Sequence, residues 1–320
     1  VPAQTYPWGP SVVWRFVARR LLHALPVLLG TTFLIYTLVF VLPGDPIQGL
    51  AGDKPVPPAV LAELHARYHL DDPLWVQYTH YLTGLLTGDL GTTFTGRDVS
   101  ELLADRWAVT LQLGLTAWVL EVVLGMALGV WAGLRKGKWD DSAVLFGTTL
   151  VISVPVFVVG YLAQLVFGVQ LGWLPVAGTE GGWPLAYLLP GLVLASFGLA
   201  YVARLTRSSL IENLRADYVR TAHSKGLSRR RVVVRHTLRN SLIPVVTFLG
   251  LELGGLMAGA VVTEYIFNLP GVGQQLFQSI QLREGPVVVG TTTALVLVFL
   301  LANLLVDLLY GLLDPRIRHD

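Results

Sequence analysis

Apolar residues in this chain fall in long, unbroken runs and do not alternate with polar ones. From Leu21 to Leu42 only His23 can carry a charge. Runs of this kind predict six membrane-spanning helices, at roughly 21–42, 107–134, 143–170, 185–203, 242–267 and 287–313. Each is close to or above the about 20 residues that a bilayer core demands of a helix. Strands of a transmembrane barrel would be about ten residues of alternating polarity, a pattern these runs do not have. Pro184 and Pro190 crowd the start of the fourth run, where the first turns of a helix tolerate proline. The first run is too long for the apolar core of a signal peptide and lacks a small-x-small end, so it reads as a retained span. No repeat of 20–50 residues is present, which excludes a solenoid, and no inverted repeat is evident.

Composition supports the same class. Hydrophobic residues make up 53% of the 320, and charged residues only 14%, against about a quarter in soluble domains. So few charges would not coat two soluble surfaces. The net charge of +2 gives no strong phosphate-steering field, so nucleic acid is not an expected partner. The chain has no cysteine, hence no disulfide framework, thiolate metal site or cysteine nucleophile.

Where the charges sit predicts the topology. Arg15, Arg19 and Arg20 precede the first run, and Arg135, Lys136 and Lys138 join the second and third. Ten Lys and Arg residues lie between the fourth and fifth runs, and Arg316 and Arg318 follow the sixth. By the positive-inside rule, both termini are cytoplasmic. The 43–106 segment carries nine acids against four basic residues and falls on the opposite side.

Catalytic patterns are mostly missing. Gly133–Lys138 (G-L-R-K-G-K) comes nearest to a P-loop. Its glycines are one residue too close, and Trp139 stands where Ser or Thr would bind magnesium, so it reads as a charged turn. His65 and His69 share i,i+4 spacing, but no third metal ligand is evident. Three acids are read inside the spans: Glu121, Glu252 and Asp307. Intramembrane carboxylates are costly. They are expected either to bond between helices or to line a path for a cationic group, such as a peptide amine. Asp307, nearer its span's cytoplasmic end, is within reach of Arg316 or Arg318.

The most patterned stretch is Ile211–Pro244. Asp217 is placed to cap a short helix that stops before Gly226, since glycine accepts positive φ at a helix end. Ser228 offers an N-cap to a second helix containing Val232, Val233 and Val234. The result is a compact basic knob outside the membrane, and small Ala222 permits close approach by another protein. Attachment to anionic headgroups is the alternative use of its arginines.

Here T-A-H-S-K-G-L (Thr221–Leu227) resembles the EAA loop of type I ABC importer permeases, with Ala222 and Gly226 matching and Arg220 and Thr221 departing from the pattern. That departure is usual in the dipeptide/oligopeptide/nickel branch. The likeness to that branch's first permease subunit extends over nearly the whole chain. It is carried by Leu42–Pro46, Tyr68–Pro73, Gln77-Tyr78, Gly88–Gly91, Arg204–Ser209, Asp217–Arg220, Arg239-Asn240, Pro270-Gly271, Asn303–Tyr310 and Asp314–Arg318. The resemblance implies an all-α, six-helix permease fold in a bacterial inner membrane. Its parts would be a cytoplasmic N-terminus and first helix (1–42), an extracytoplasmic region (43–106), a permease core (107–313) and a cytoplasmic tail (314–320). Within the core, 204–241 would be the loop that docks on an ATPase. Asp217, Tyr218, Thr221, Ala222, Lys225, Gly226, Leu227 and Ser228 are its expected coupling residues, with Glu121, Glu252 and Asp307 as candidate pathway groups. Expected partners are a second, similar permease, two ATP-binding subunits and an extracytoplasmic binding protein. No cofactor or catalysis is expected on this chain, since ATP and magnesium would sit on the ATPase. Tyr68, Trp75, Tyr78 and Tyr81 are expected to pack an external layer that helps dock the binding protein.

The implied activity is uptake of di- or oligopeptides; nickel chelate, glutathione or haem are alternatives within the class. A proton-coupled carrier using the three acids, or an intramembrane enzyme, would be different classes. The EAA-like loop argues against the first, and the lack of a nucleophile–base or metal pair against the second.

Overall fold

The computed structural model describes residues 10–40, 57–67, 70–93 and 95–313. The Leu42–Pro46 motif, Pro55, Tyr68, His69, and Arg316 and Arg318 in the 314–320 tail lie outside the described residues. The described chain is helical almost throughout, and its extended pairing is an isolated bridge between Thr92 and Asp98. In order, the helices are α1 (Pro10–Phe40), α2 (Pro58–Arg67), α3 (Leu74–Leu86), α4 (Val99–Leu134), α5 (Trp139–Ser153) and α6 (Val156–Gln170). Then come α7 (Leu185–Asn213), α8 (Asp217–Ser224), α9 (229–241), α10 (Ile243–Ile266), α11 (Val272–Gln281) and α12 (Gly285–Leu313).

Among the described residues, five helices, α1, α4, α7, α10 and α12, are long and apolar enough to cross a membrane, and the pair α5–α6 makes a sixth candidate span. That pair corrects the sequence reading of 143–170 as one helix: it bends by 107° at the break. Pro155 is the cause. It holds Val154 extended (φ −103°, ψ 130°), because a proline disfavours helical backbone in the residue before it and donates no hydrogen bond itself. The chain restarts as helix when Val158 and Val159 donate to the Pro155 carbonyl. The fourth span is also longer than 185–203, since Arg204 and Arg207 lie inside α7.

The chain divides into two compact units, Val1–Asp105 with Gln275–Asp320, and Arg106–Gln274. In the first, α1 lies along α12, and α3 packs its aromatic face on α1. The Tyr36 ring centre lies 5.6 Å from that of Tyr81 and 5.8 Å from that of Tyr78, while Phe33 meets Tyr78 edge-on at 5.2 Å. The Tyr81 hydroxyl donates to Thr293 Oγ1 at 2.6 Å. Burial pushes this phenol up to about 12, so it remains a protonated donor. Trp75 does not join the layer expected of it, being 69% exposed. His65 pairs with Asp71 at 3.1 Å.

In the second unit, α7 is the central helix. Lipid gives helices no hydrophobic drive to associate, so tight van der Waals contact must hold them. Gly125, Gly129 and Gly133, spaced by four, form a smooth stripe on α4 against Val202, Ala203, Thr206 and Leu210 of α7. A Cβ at Gly125 would fall 2.8 Å from a Val202 methyl and 3.1 Å from the Leu199 carbonyl oxygen. A larger residue there would pry the helices apart. A core of Leu113, Leu189, Val193, Leu256 and Phe267 continues this packing.

Candidate functional site

The first candidate site is the knob formed by α8 and α9. α8 starts at Asp217, with Ala216 as its N-cap in extended conformation and no side-chain cap bond. Asp217 is therefore the first helical residue and not the cap, a correction of one position. Its carboxylate still lies at the positive end of the helix dipole. The helix stops as expected. Gly226 adopts φ +76° and donates its N–H to His223 at 2.9 Å, while Leu227 N–H reaches back to Ala222 at 3.3 Å. That crossed pair of bonds satisfies the terminal carbonyls. Ser228 stands at the N-cap of α9 (ψ 146°) without a side-chain bond, and its carbonyl accepts from Val232 N–H at 3.0 Å.

Ala222 is buried in a small cluster with Val219, Val232 and Leu227. Its small side chain therefore lets α8 and α9 cross, where the sequence reading assigned it to contact with another protein. The exposed surface of the knob is made by Asp217, Tyr218, Thr221, Lys225, Gly226 and Ser228. The knob is tied to the membrane helices by the Tyr218 hydroxyl, which donates to Asn213 Oδ1 on α7 at 2.8 Å.

A second feature braces the membrane end of α7. Arg207 donates through Nη2 to Asp141 Oδ2 at 2.8 Å and through Nε to Asp141 Oδ1. Asp141 also accepts the Gly137 N–H at 2.9 Å. Asp140 takes Arg135, and Arg204 donates to Thr148 Oγ1 at 3.0 Å. The turn that faintly resembles a P-loop thus spends an amide on a carboxylate of its own chain. Replacing Asp141 with Ala leaves the guanidinium and the Gly137 amide without this acceptor. The expected cost is about 2 kcal/mol, read as a lower unfolding temperature, with Arg207→Lys giving a smaller loss because lysine cannot make the paired contact. An unchanged unfolding temperature in Asp141→Ala would show that the brace bears no load.

The intramembrane acids separate. Glu121 is fully buried and begins a π-helical turn, Glu121–Gly125, within α4. Its carboxyl lies where Gly198 of α7 leaves room, and neither oxygen has a hydrogen-bond partner among the described residues. Glu252 is half-buried on α10. Asp307 belongs elsewhere: it pairs with Arg20 of α1 at 2.6 Å, while the tail arginines expected to reach it lie outside the described residues.

A fourth acid, Glu264, escapes the sequence reading although it falls inside the fifth run. It is fully buried. Its Oε1 accepts the Thr110 hydroxyl at 2.6 Å, and Oε2 accepts the Gln274 N–H at 2.9 Å. Thr110 Oγ1 in turn accepts the Val272 N–H at 2.9 Å. The same rule that singled out the other acids, that a carboxylate in an apolar run needs a reason, would have found it. Among the described residues, no cluster of three His, Cys, Asp or Glu residues is disposed to hold a metal.

Known proteins explain why these parts occur together. Residues 125–319 match the family described as "Binding-protein-dependent transport system inner membrane component", and residues 13–114 match that system's N-terminal membrane component. The chain is 41% identical over 305 residues to the glutathione transport system permease protein GsiC of Salmonella typhimurium, covering 95% of this chain and 99% of that one. It is 38% identical over 336 residues to the dipeptide transport system permease protein DppB of Escherichia coli K12, again covering 95% and 99%. A solved structure of the MetNI methionine ABC transporter in an inward-facing conformation shares the fold at a TM-score of 0.52 and 16% identity, over 67% of this chain and 97% of that one. With its apolar spans, its α8–α9 knob and these relatives, the chain belongs to the binding-protein-dependent inner membrane component family and is a multi-pass type I ABC importer permease of the dipeptide/oligopeptide branch.

Proposed function

We propose that this chain and a second, similar permease form the membrane pathway through which small peptides enter the cell. The observation that carries the reading is the α8–α9 knob. It is a rigid, exposed pair of short helices with its own buried centre, bonded to the end of α7. That is the shape helix-in-groove recognition requires. In this reading an ATP-binding subunit grips Tyr218, Thr221, Lys225 and the Gly226–Ser228 turn. Two such subunits hydrolyse ATP with magnesium, and their closure moves the knob and re-packs the spans between inward- and outward-open states. Both termini and the knob face the cytoplasm, in keeping with the basic residues gathered there. The 43–106 region faces outward and meets the binding protein that brings the peptide.

Glutathione is a tripeptide, so the relatives named for glutathione and dipeptide have a small peptide in common. We take the substrate class to be short peptides with free termini. The test is uptake into proteoliposomes holding the two permeases and two ATPases, with the binding protein outside. Accumulation of labelled dipeptide or glutathione should require internal ATP and survive an uncoupler. Accumulation that ignores ATP and collapses with the uncoupler would instead indicate a proton-coupled carrier. In the same assay Glu252→Gln should lower uptake with the complex intact; unchanged uptake removes Glu252 from the pathway.

A further inference from the structure

Away from the knob and from Glu121 and Glu252, α1 and α12 enclose a groove of about 560 Å³ within the first unit. Its walls are leucines, among them Leu25 and Leu28 of α1 and Leu301 and Leu304 of α12. One end is polar, formed by Arg20, His23, Asn303 and Asp307. Arg20 gives one nitrogen to Asp307 and keeps the rest of its guanidinium at a side chain that is 49% exposed. Among the described residues, neither the His23 ring nor the Asn303 amide has a hydrogen-bond partner, and Arg20 has no partner besides Asp307. Exposed Arg19 adds a second cation beside the same mouth. With two arginines against one aspartate, the mouth keeps a net positive charge. From Arg20 to Leu28 α1 rises about 12 Å, so the leucine wall reaches well into the hydrocarbon region.

We propose that this groove is a binding site for an anionic phospholipid of the leaflet at the Arg19–Arg20 end, its phosphate on Arg20, His23 and Asn303 and an acyl chain between α1 and α12. These donors are accessible at headgroup level, where a phosphodiester offers the acceptors they lack. A guanidinium with free N–H groups and a pinned orientation suits phosphate better than a lysine would. Basic pockets between transmembrane helices are a recurring way to hold acidic headgroups. The proposal does not depend on which substrate is carried.

The experiment is native mass spectrometry of the full chain, purified with the subunits that accompany it, against phosphatidylglycerol and phosphatidylcholine of equal chain length. Wild type should retain phosphatidylglycerol in preference. Arg20→Gln should reduce that preference about fivefold, the worth of one cationic side chain at headgroup level. Leu301→Trp, which fills the groove at a position already 55% exposed, should abolish it, and this variant decides the matter if Arg20→Gln fails to fold. Equal retention of the two lipids overturns the proposal, as does phosphatidylglycerol retained unchanged in Leu301→Trp. Failure of the assembled complex to retain either lipid would do so too, since a helix of the second permease would then be the occupant.

Discussion

Glu264→Ala is expected to yield a chain that inserts but unfolds at a much lower temperature. The carboxylate is completely buried and is the acceptor for the Thr110 hydroxyl and the Gln274 amide. Thr110 in turn accepts from Val272, so one side chain anchors α4 and the start of α11 to the end of α10. Gly271 and Gly273 lie against the same carboxyl group, and a Cβ on Gly271 would collide with it. Alanine removes the acceptors and opens a cavity at a place where no water from the bilayer can replace them. Removing one partner of a buried polar network costs about 3–5 kcal/mol, equivalent to roughly 10 °C in a chain of this size. Glu264→Gln should fall between, since its oxygen can still accept from Thr110 while its amide group meets the Gln274 N–H donor to donor. Thr110→Val should also destabilise, less than the alanine variant, because Glu264 keeps Gln274. Thermal unfolding in detergent, with size-exclusion yield as a second readout, measures all three. A wild-type unfolding temperature for Glu264→Ala would mean that the 264–274 segment is held by its backbone bonds alone.

What could be read from the chain beforehand follows from how local each cause is. The spans were legible because the bilayer imposes length and apolarity on every one of them. The knob was legible for a similar reason: a helix stop at Gly226 and a restart after Ser228 are written within a dozen residues. The bend at Pro155 is hard to read because its surroundings, from Leu150 to Val159, are apolar on both sides except for Ser153. Glu264 itself is visible in the fifth run, but its bond to Thr110, 154 positions away, is not, and neither is the pairing of Asp307 with Arg20. The Arg207–Asp141 brace is of the same kind, two charges 66 positions apart. Long-range pairs depend on which helices become neighbours, and hydrophobic pattern does not specify that. The π-turn at Glu121 has no local signal either; it becomes intelligible only with Gly198 opposite.

Gly226→Pro is expected to separate insertion from transport. Gly226 holds φ +76°, while proline is confined near −65°. Its N–H closes the end of α8 on His223, and proline has none to give. The native turn would therefore cost about 3 kcal/mol or more, reducing the population with α8 and α9 correctly crossed roughly a hundredfold. The damage stays outside the membrane spans, because the cluster of Val219, Ala222, Val232 and Leu227 is separate from the helix core. The variant should consequently insert, fold and associate with its companion permease. Peptide uptake should fall at least about tenfold, and ATP hydrolysis by the complex should stop responding to peptide-loaded binding protein. Gly226→Ala supplies the control. It keeps the N–H and loses only about 1–2 kcal/mol to the left-handed conformation, so it should transport measurably more than the proline variant. Ranking wild type above alanine above proline in uptake, at equal amounts of assembled complex, would tie the loss to this turn. Full-rate, ATP-driven uptake by Gly226→Pro would falsify the assignment of the knob to energy coupling, since force cannot be passed through a turn that is not formed.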